Sequence, residues 1–112
     1  MDNVGYKIFG LVKRPAHISP ADLKQWWLFE HSPKVARWPG LVKYSINLTM
    51  EDDCEFDGLA EIWFEDKAAM DNVFNTPEGE IAKQSALSGS GKLVLLRTEE
   101  FSIVDKQALT TA

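Results

Sequence analysis

Apolar residues recur along this chain with two different periods, and the change from one to the other marks out its elements. Residues 6–12 are apolar on both alternating faces, as in a strand covered on both sides, and Lys13-Arg14-Pro15 ends the run because proline cannot donate to a ladder. Ser19-Pro20-Ala21-Asp22 is a helix start, with a serine N-cap, proline at the first helical position and an acid in the first turn. Leu23, Trp26, Trp27 and Glu30 follow at helical spacing, and His31 falls on the shoulder of that stripe, one turn beyond Trp27. Ser32-Pro33 should end or kink the helix, since the residue before a proline avoids the α region. A short turn with Val35 and Trp38 then leads to Pro39-Gly40.

Residues 41–49 alternate, with Val42, Tyr44, Ile46 and Leu48 on one face and Lys43, Ser45, Asn47 and Thr49 on the other, which predicts a half-exposed strand. After an acidic connector, residues 58–65 form a third strand in which Ala60, Ile62 and Phe64 oppose Leu59, Glu61 and Trp63. Asp66 caps a second helix carrying Ala69, Met70, Val73 and Phe74; Thr76-Pro77 interrupts it, and a turn with Ile81 and Ala82 follows. Ser88-Gly89-Ser90-Gly91 reads as a flexible break, residues 92 to about 104 as the last strand, and the polar stretch from Asp105 as a frayed tail.

The order is therefore βαββαβ, an α+β chain expected to form one domain over residues 1–112 with an ordered core at about 4–104. Two helices cover only one face of a four-stranded sheet. The strands are nonetheless apolar on both sides, and so large an apolar surface is seldom left bare. A homodimer whose two sheets pack face to face into a barrel resolves the conflict.

Composition narrows the partners. With a net charge of -5 there is no basic excess to neutralise a phosphate backbone, so no nucleic-acid partner is expected. No apolar run approaches the ~20 residues that span a bilayer, and the N-terminus lacks the basic and apolar regions of a signal peptide. No membrane association and a cytoplasmic location are the expectation. The single cysteine, Cys54, lies among acids that disfavour its thiolate and reads as a free loop thiol.

Two residues stand out for chemistry. His31 titrates near neutrality and suits general acid or base work. A helix C-terminus would favour its protonated form, whereas burial beside Trp26, Trp27 and Trp38 would oppose it. Glu61 lies mid-strand between Leu59 and Trp63, where a carboxylate must find a partner or stay protonated, unless that face is solvated. Trp27, Trp63 and Trp38 would line an apolar pocket, with Tyr44 donating a proton or packing and Asn47 orienting a substrate. Tyr44 and Asn47 occupy opposite strand faces, so at most one can share a pocket with Glu61. Lys13 and Arg14, at the mouth of the first strand, could hold an anion or be solvated ends. His17 and His31 belong to different elements and advertise no metal site. Gly89-Ser90-Gly91-Lys92 is a fragment of a phosphate loop, but Ala86 stands where the earlier glycine is required.

Taken in order, Leu11-Val12-Lys13-Arg14-Pro15, Ser19-Pro20-Ala21-Asp22-Leu23, Trp27-x-x-x-His31-x-Pro33, Pro39-Gly40-Leu41 with Tyr44, Asp57-Gly58-x-Ala60-Glu61-x-Trp63-Phe64 and Pro77-Glu78-Gly79 resemble the EthD family across nearly the whole chain. The resemblance implies a ferredoxin-like fold and a dimeric α/β barrel. Members of the wider superfamily include isomerases, cyclases and oxygenases that work without metal or flavin, so no cofactor is expected. The family histidine maps onto His31. The expectation is a small enzyme of aromatic or lactone catabolism, an isomerase or lyase/cyclase acting on a small apolar carbonyl compound, with Glu61 orienting or sharing the proton that His31 moves. The alternative is a non-catalytic accessory or metabolite-binding protein. Relatives often carry acidic and aromatic residues before the last strand, where this chain has Ser88-Gly89-Ser90-Gly91, so a catalytic acid from that loop is not expected here.

Overall fold

The computed structural model describes residues 4–106. Strands β1 (Val4–Lys13), β2 (Leu41–Leu48), β3 (Gly58–Phe64) and β4 (Lys92–Phe101) form one antiparallel sheet in the order β2-β3-β1-β4. The helical segments α1 (Pro20–Gln25), α2 (Ser32–Val35), α3 (Lys67–Asn72) and α4 (Pro77–Gly89) complete an α+β ferredoxin-like fold. Strand β4 stops at Phe101, short of the expected end, and the remainder of the expected tail beyond Lys106 lies outside the described residues.

Register assigns every strand residue to a face. Ile8 pairs with Ile62, Gly10 with Ala60 and with Leu95, and Tyr44 with Ile62. Ile8, Val12, Ala60, Ile62 and Phe64 are buried there together with Leu23, Trp27 and Val73 from the helical segments. The opposite face carries Lys7 opposite Trp63, Phe9 opposite Glu61, and Leu11 opposite Leu59, with Leu96 and Val94 beside them on β4. In β2 a bulge between Leu41 and Lys43 puts Val42 out of register and leaves it 62% exposed, so the alternating face begins only at Tyr44.

The first helical segment departs most from the sequence reading. Its start is as expected, with Ser19 accepting from the Asp22 amide and the Asp22 carboxylate accepting in return from the Ser19 amide. It does not stop at Ser32-Pro33. A π-helical turn spans Trp26–His31 and leads directly into α2, with Ser32 itself helical at φ -54 and ψ -39. The Ser32 amide reaches back to the Trp27 carbonyl, and the Ser32 hydroxyl donates to the same oxygen at 2.6 Å. Pro33 then falls in the first turn of α2, where a missing N–H is tolerated.

The wide turn also resets the helix face. A step of four residues overshoots a 3.6-residue α turn, so an i, i+4 series drifts around a regular α-helix; the π turn takes up that drift. Leu23, Trp27, His31 and Val35 all end up buried, while Glu30 is exposed. His31 is thus part of the buried stripe rather than its shoulder.

Helix α4 runs through the expected flexible break as far as Gly89. A Cβ at Gly89 would come within 2.1 Å of the Trp26 indole, so glycine is what lets the end of α4 close on that ring. The Gly91 amide then donates to the Lys13 carbonyl at 2.7 Å, tying the connection to the end of β1. Among the described residues, no helix is long and apolar enough to cross a membrane.

Candidate active site

Between the sheet and the helices lies a cavity of about 40 Å³, walled by Trp26, Trp27, Trp38, Phe74 and strand residues such as Gly10, Ala60 and Leu95. Its polar side chains are those of His31, Tyr44 and Lys83. That volume admits on the order of three waters, which is less than an aromatic substrate needs without movement of the wall. A substituted or fused aromatic ligand is therefore a poor fit, and a carbonyl compound of about six heavy atoms or fewer requires the least movement of the wall.

His31 is 7% exposed. Its ring stacks on Trp26 with centroids 4.9 Å apart, and Nδ1 lies 2.9 Å from the Ser85 hydroxyl on α4. Nε2 has no hydrogen-bond partner among the described residues, so it is the nitrogen available to a cavity occupant. Burial, followed by the nearby Lys34 charge, pulls the imidazole pKa from 6.5 down to about 4. His31 is not at the end of the helical segment, the helix-terminal stabilisation expected for its cation is absent, and burial prevails. At neutral pH the ring is an uncharged base. A hydroxyl partner can accept from Nδ1 or donate to it, so Ser85 holds either tautomer.

Tyr44 faces the same cavity, but its hydroxyl is turned to the helix. The Ser32 proton is committed to the Trp27 carbonyl, so the Tyr44 hydroxyl is the donor in its 3.3 Å contact with Ser32. Burial raises the Tyr44 pKa, partly offset by hydrogen bonds to Ser32 and Trp27, and the phenol stays protonated at neutral pH.

Glu61 does not share this cavity. Its strand parity places it on the other face of the sheet, opposite Phe9 and Ser45, so it cannot orient His31 or exchange a proton with it. It belongs to a network around Lys7, which is 6% exposed. The Lys7 ammonium contacts Glu61 at 3.0 Å and Glu100 at 2.9 Å, and lies over the rings of Trp63 and Phe9. Asn47 Nδ2 donates to Glu61 at 3.0 Å and Trp63 Nε1 to Glu100 at 2.9 Å. Asn47 and Trp63 therefore leave the expected substrate pocket along with Glu61. Burial would lower the Lys7 pKa, but hydrogen bonds to Glu100 and Glu61 outweigh it and raise the value. The Glu100 carboxyl is lowered by its hydrogen bonds from Lys7 and Trp63.

Arg14 is also removed from the cavity wall. Its amide donates to Asp57 at 2.7 Å, its Nε lies 3.5 Å from the same carboxylate, and its Nη1 donates to the Ile18 carbonyl. Asp57 and the backbone thus claim the guanidinium that sequence offered as an anion site. Of the expected substrate contacts, the cavity retains Trp27, Trp38 and Tyr44 around His31.

Residues 15–86 match the EthD domain, which is more than half of the chain. The chain belongs to the EthD family. Among solved structures, this EthD chain is similar to an ethyl tert-butyl ether degradation (EthD) family protein of Bacillus halodurans, at 21% identity over 86% of this chain and 98% of that one, with a TM-score of 0.76. A hydroxynitrile lyase of Passiflora edulis is 13% identical over 93% and 100% of the two chains, with a TM-score of 0.72. A dimeric ferredoxin-like protein of unknown function from Thermobifida fusca is 13% identical over 88% and 92%, with a TM-score of 0.67. No functionally curated protein matches this sequence.

Sequence reasoning passed over two residues that organise this fold. Ser85 carries no local signal, since its role depends on α4 lying beside the π turn. Lys7 did carry one: a single cation in an otherwise apolar strand requires carboxylates of matching parity on neighbouring strands. Replacing Lys7 by methionine should leave Glu61 and Glu100 facing each other without their shared cation and cost about 1–3 kcal/mol. Urea denaturation at neutral pH measures it; an unchanged midpoint would show that the network contributes nothing net.

Proposed function

We propose that this EthD domain is a cofactor-independent acid–base enzyme that isomerises, or cleaves or cyclises, a small and mostly apolar carbonyl compound. The observation that carries the reading is His31, a neutral imidazole anchored at Nδ1 by Ser85, with Nε2 left for the contents of an apolar cavity. Nε2 takes a proton from the carbon next to the carbonyl. The C–H electron pair moves into the carbonyl group to give an enolate, and the proton stays on the imidazole. Where a C=C is conjugated with the enolate, return of the proton to its far carbon completes an isomerisation. Where the β-carbon bears a leaving group, the enolate electrons form a C=C, the bond to that group breaks, and the departing group takes the proton from the imidazolium. The ring is in its base form at neutral pH, and the enolate it creates is the opposite charge that stabilises the imidazolium. The Passiflora edulis protein of the same fold, a lyase by name, lends support from outside the chain.

A second copy of the chain is proposed to cover the sheet face bearing Phe9, Leu11, Leu59 and Leu96, as the dimeric Thermobifida fusca relative suggests. A monomer at micromolar concentration in analytical ultracentrifugation would remove this part of the reading. The chemistry is tested by incubating the protein in D₂O with cyclopentanone, γ-butyrolactone and related small carbonyl compounds, and following loss of the α-proton signals by NMR. Exchange faster than in buffer is the expected result. Binding without exchange across the panel would favour a carrier or accessory role instead.

A further inference from the structure

The His31 cavity has a second polar feature that the proton-transfer reading does not use. Trp38 is 6% exposed, and its Nε1 is buried with no hydrogen-bond partner among the described residues. The ring is fixed by its neighbours: Phe64 stacks on it at 6.1 Å and Phe74 meets it at right angles at 5.5 Å. An aromatic ring is at most a weak acceptor. Leaving a buried N–H unpaired costs about 1–3 kcal/mol, and native structures rarely retain such a group without a use for it. Trp38 lines the cavity with its Nε1 sealed just behind the wall, so an occupant that shifts the wall slightly can supply the missing acceptor.

The surroundings favour an electron-rich occupant at this end. Lys83 brings the only formal charge to the described cavity wall, and its ammonium lies 5.5 Å from the centre of the same Phe74 ring. No ion pair or hydrogen bond to a described residue claims it.

We propose that the Trp38 indole N–H is the hydrogen-bond donor to the substrate's carbonyl oxygen, making Trp38 the residue that selects ligands carrying an acceptor oxygen. This rests on the proposed function for its catalytic meaning: as His31 removes the α-proton, charge grows on that oxygen, and a fixed donor with a cation nearby stabilises it. The pairing of one base with one donor assigns the substrate class as compounds with a single carbonyl group on a small hydrocarbon frame.

Cyclopentanone and methylenecyclopentane differ only in having oxygen or CH₂ at the same position, and they serve as the probes. In protein labelled with ¹⁵N at the tryptophan indoles, the resonance missing from Trp38→Phe identifies the Trp38 N–H. Titration with cyclopentanone should move that proton downfield to saturation, whereas methylenecyclopentane should not. Trp38→Phe should bind cyclopentanone about tenfold more weakly and methylenecyclopentane as before. Equal responses to both probes, a Trp38 resonance insensitive to bound cyclopentanone, or failure of cyclopentanone to bind would each overturn the proposal. The difference in wild-type affinity between the two probes, read by tryptophan fluorescence, needs no assignment and holds even if Trp38→Phe folds poorly. Because the readout is binding, the acceptor site and the catalytic reading can fail separately.

Discussion

His31→Ala should reduce catalysed α-proton exchange by about 10²–10⁴-fold, the usual contribution of a positioned acid or base. The cavity offers no ready substitute in its described wall: Tyr44 is held protonated and turned toward Ser32, and the Lys83 Nζ is turned over the Phe74 ring. Glu61, the other acid suggested by sequence, lies across the sheet and cannot step in. The fold should survive, because the substitution removes a ring that packs on Trp26 and one hydrogen bond to Ser85. His31→Gln is the companion variant, since its amide can still hydrogen-bond but cannot carry the proton. Loss of exchange in both variants, with unaltered circular dichroism and unaltered sedimentation, is the expected result. Full activity in either one would take His31 out of the mechanism.

The separation of His31 from Glu61 shows what strand parity reveals and what it conceals. The alternation in β3 put Glu61 with Trp63 and opposite Ile62, as the structure has it. It could not say which face the helices would cover, because both faces of β1 and β3 are apolar. The Lys7 network decides the matter, since a cation with two carboxylates leaves its face for solvent or a second sheet while Ile8 and Ile62 take the helices. The π turn was hidden for a different reason. Ser32-Pro33 is a sound stop signal for an α-helix, and only the tertiary demand to bury Leu23, Trp27, His31 and Val35 on one side makes the wider turn worth its weaker geometry. Capping was local and therefore legible at Ser19 and Asp66, whereas Thr76, read as part of a stop before a mere turn, caps the whole of α4. The close approach at Gly89 was not: the glycines before β4 suggested freedom, whereas Gly89 is required by the Trp26 indole of a helical segment distant in sequence.

The same burial that keeps His31 neutral should make the protein sensitive to acid. Its folded pKa is about 4, against 6.5 for an unperturbed histidine. Between those values the unfolded chain binds a proton that the folded chain refuses, so stability rises with pH. The contribution is complete above pH 6.5, declines as pH falls toward 4, and is lost below it. At 1.36 kcal/mol per unit the loss amounts to about 3 kcal/mol, a large part of the 5–15 kcal/mol typical of a domain. Glu100 works in the same direction but only at lower pH, because its hydrogen bonds from Lys7 and Trp63 hold its carboxyl below the usual 4.5. The window from pH 6.5 to about 4.5 therefore reports chiefly on His31. Urea midpoints measured every half unit should fall through that window in the wild type and stay nearly level in His31→Gln. A level wild-type curve would mean that the imidazole titrates as if exposed. In that case the cavity admits water freely, and His31 would enter the reaction partly protonated rather than as the neutral base on which the proposed chemistry depends.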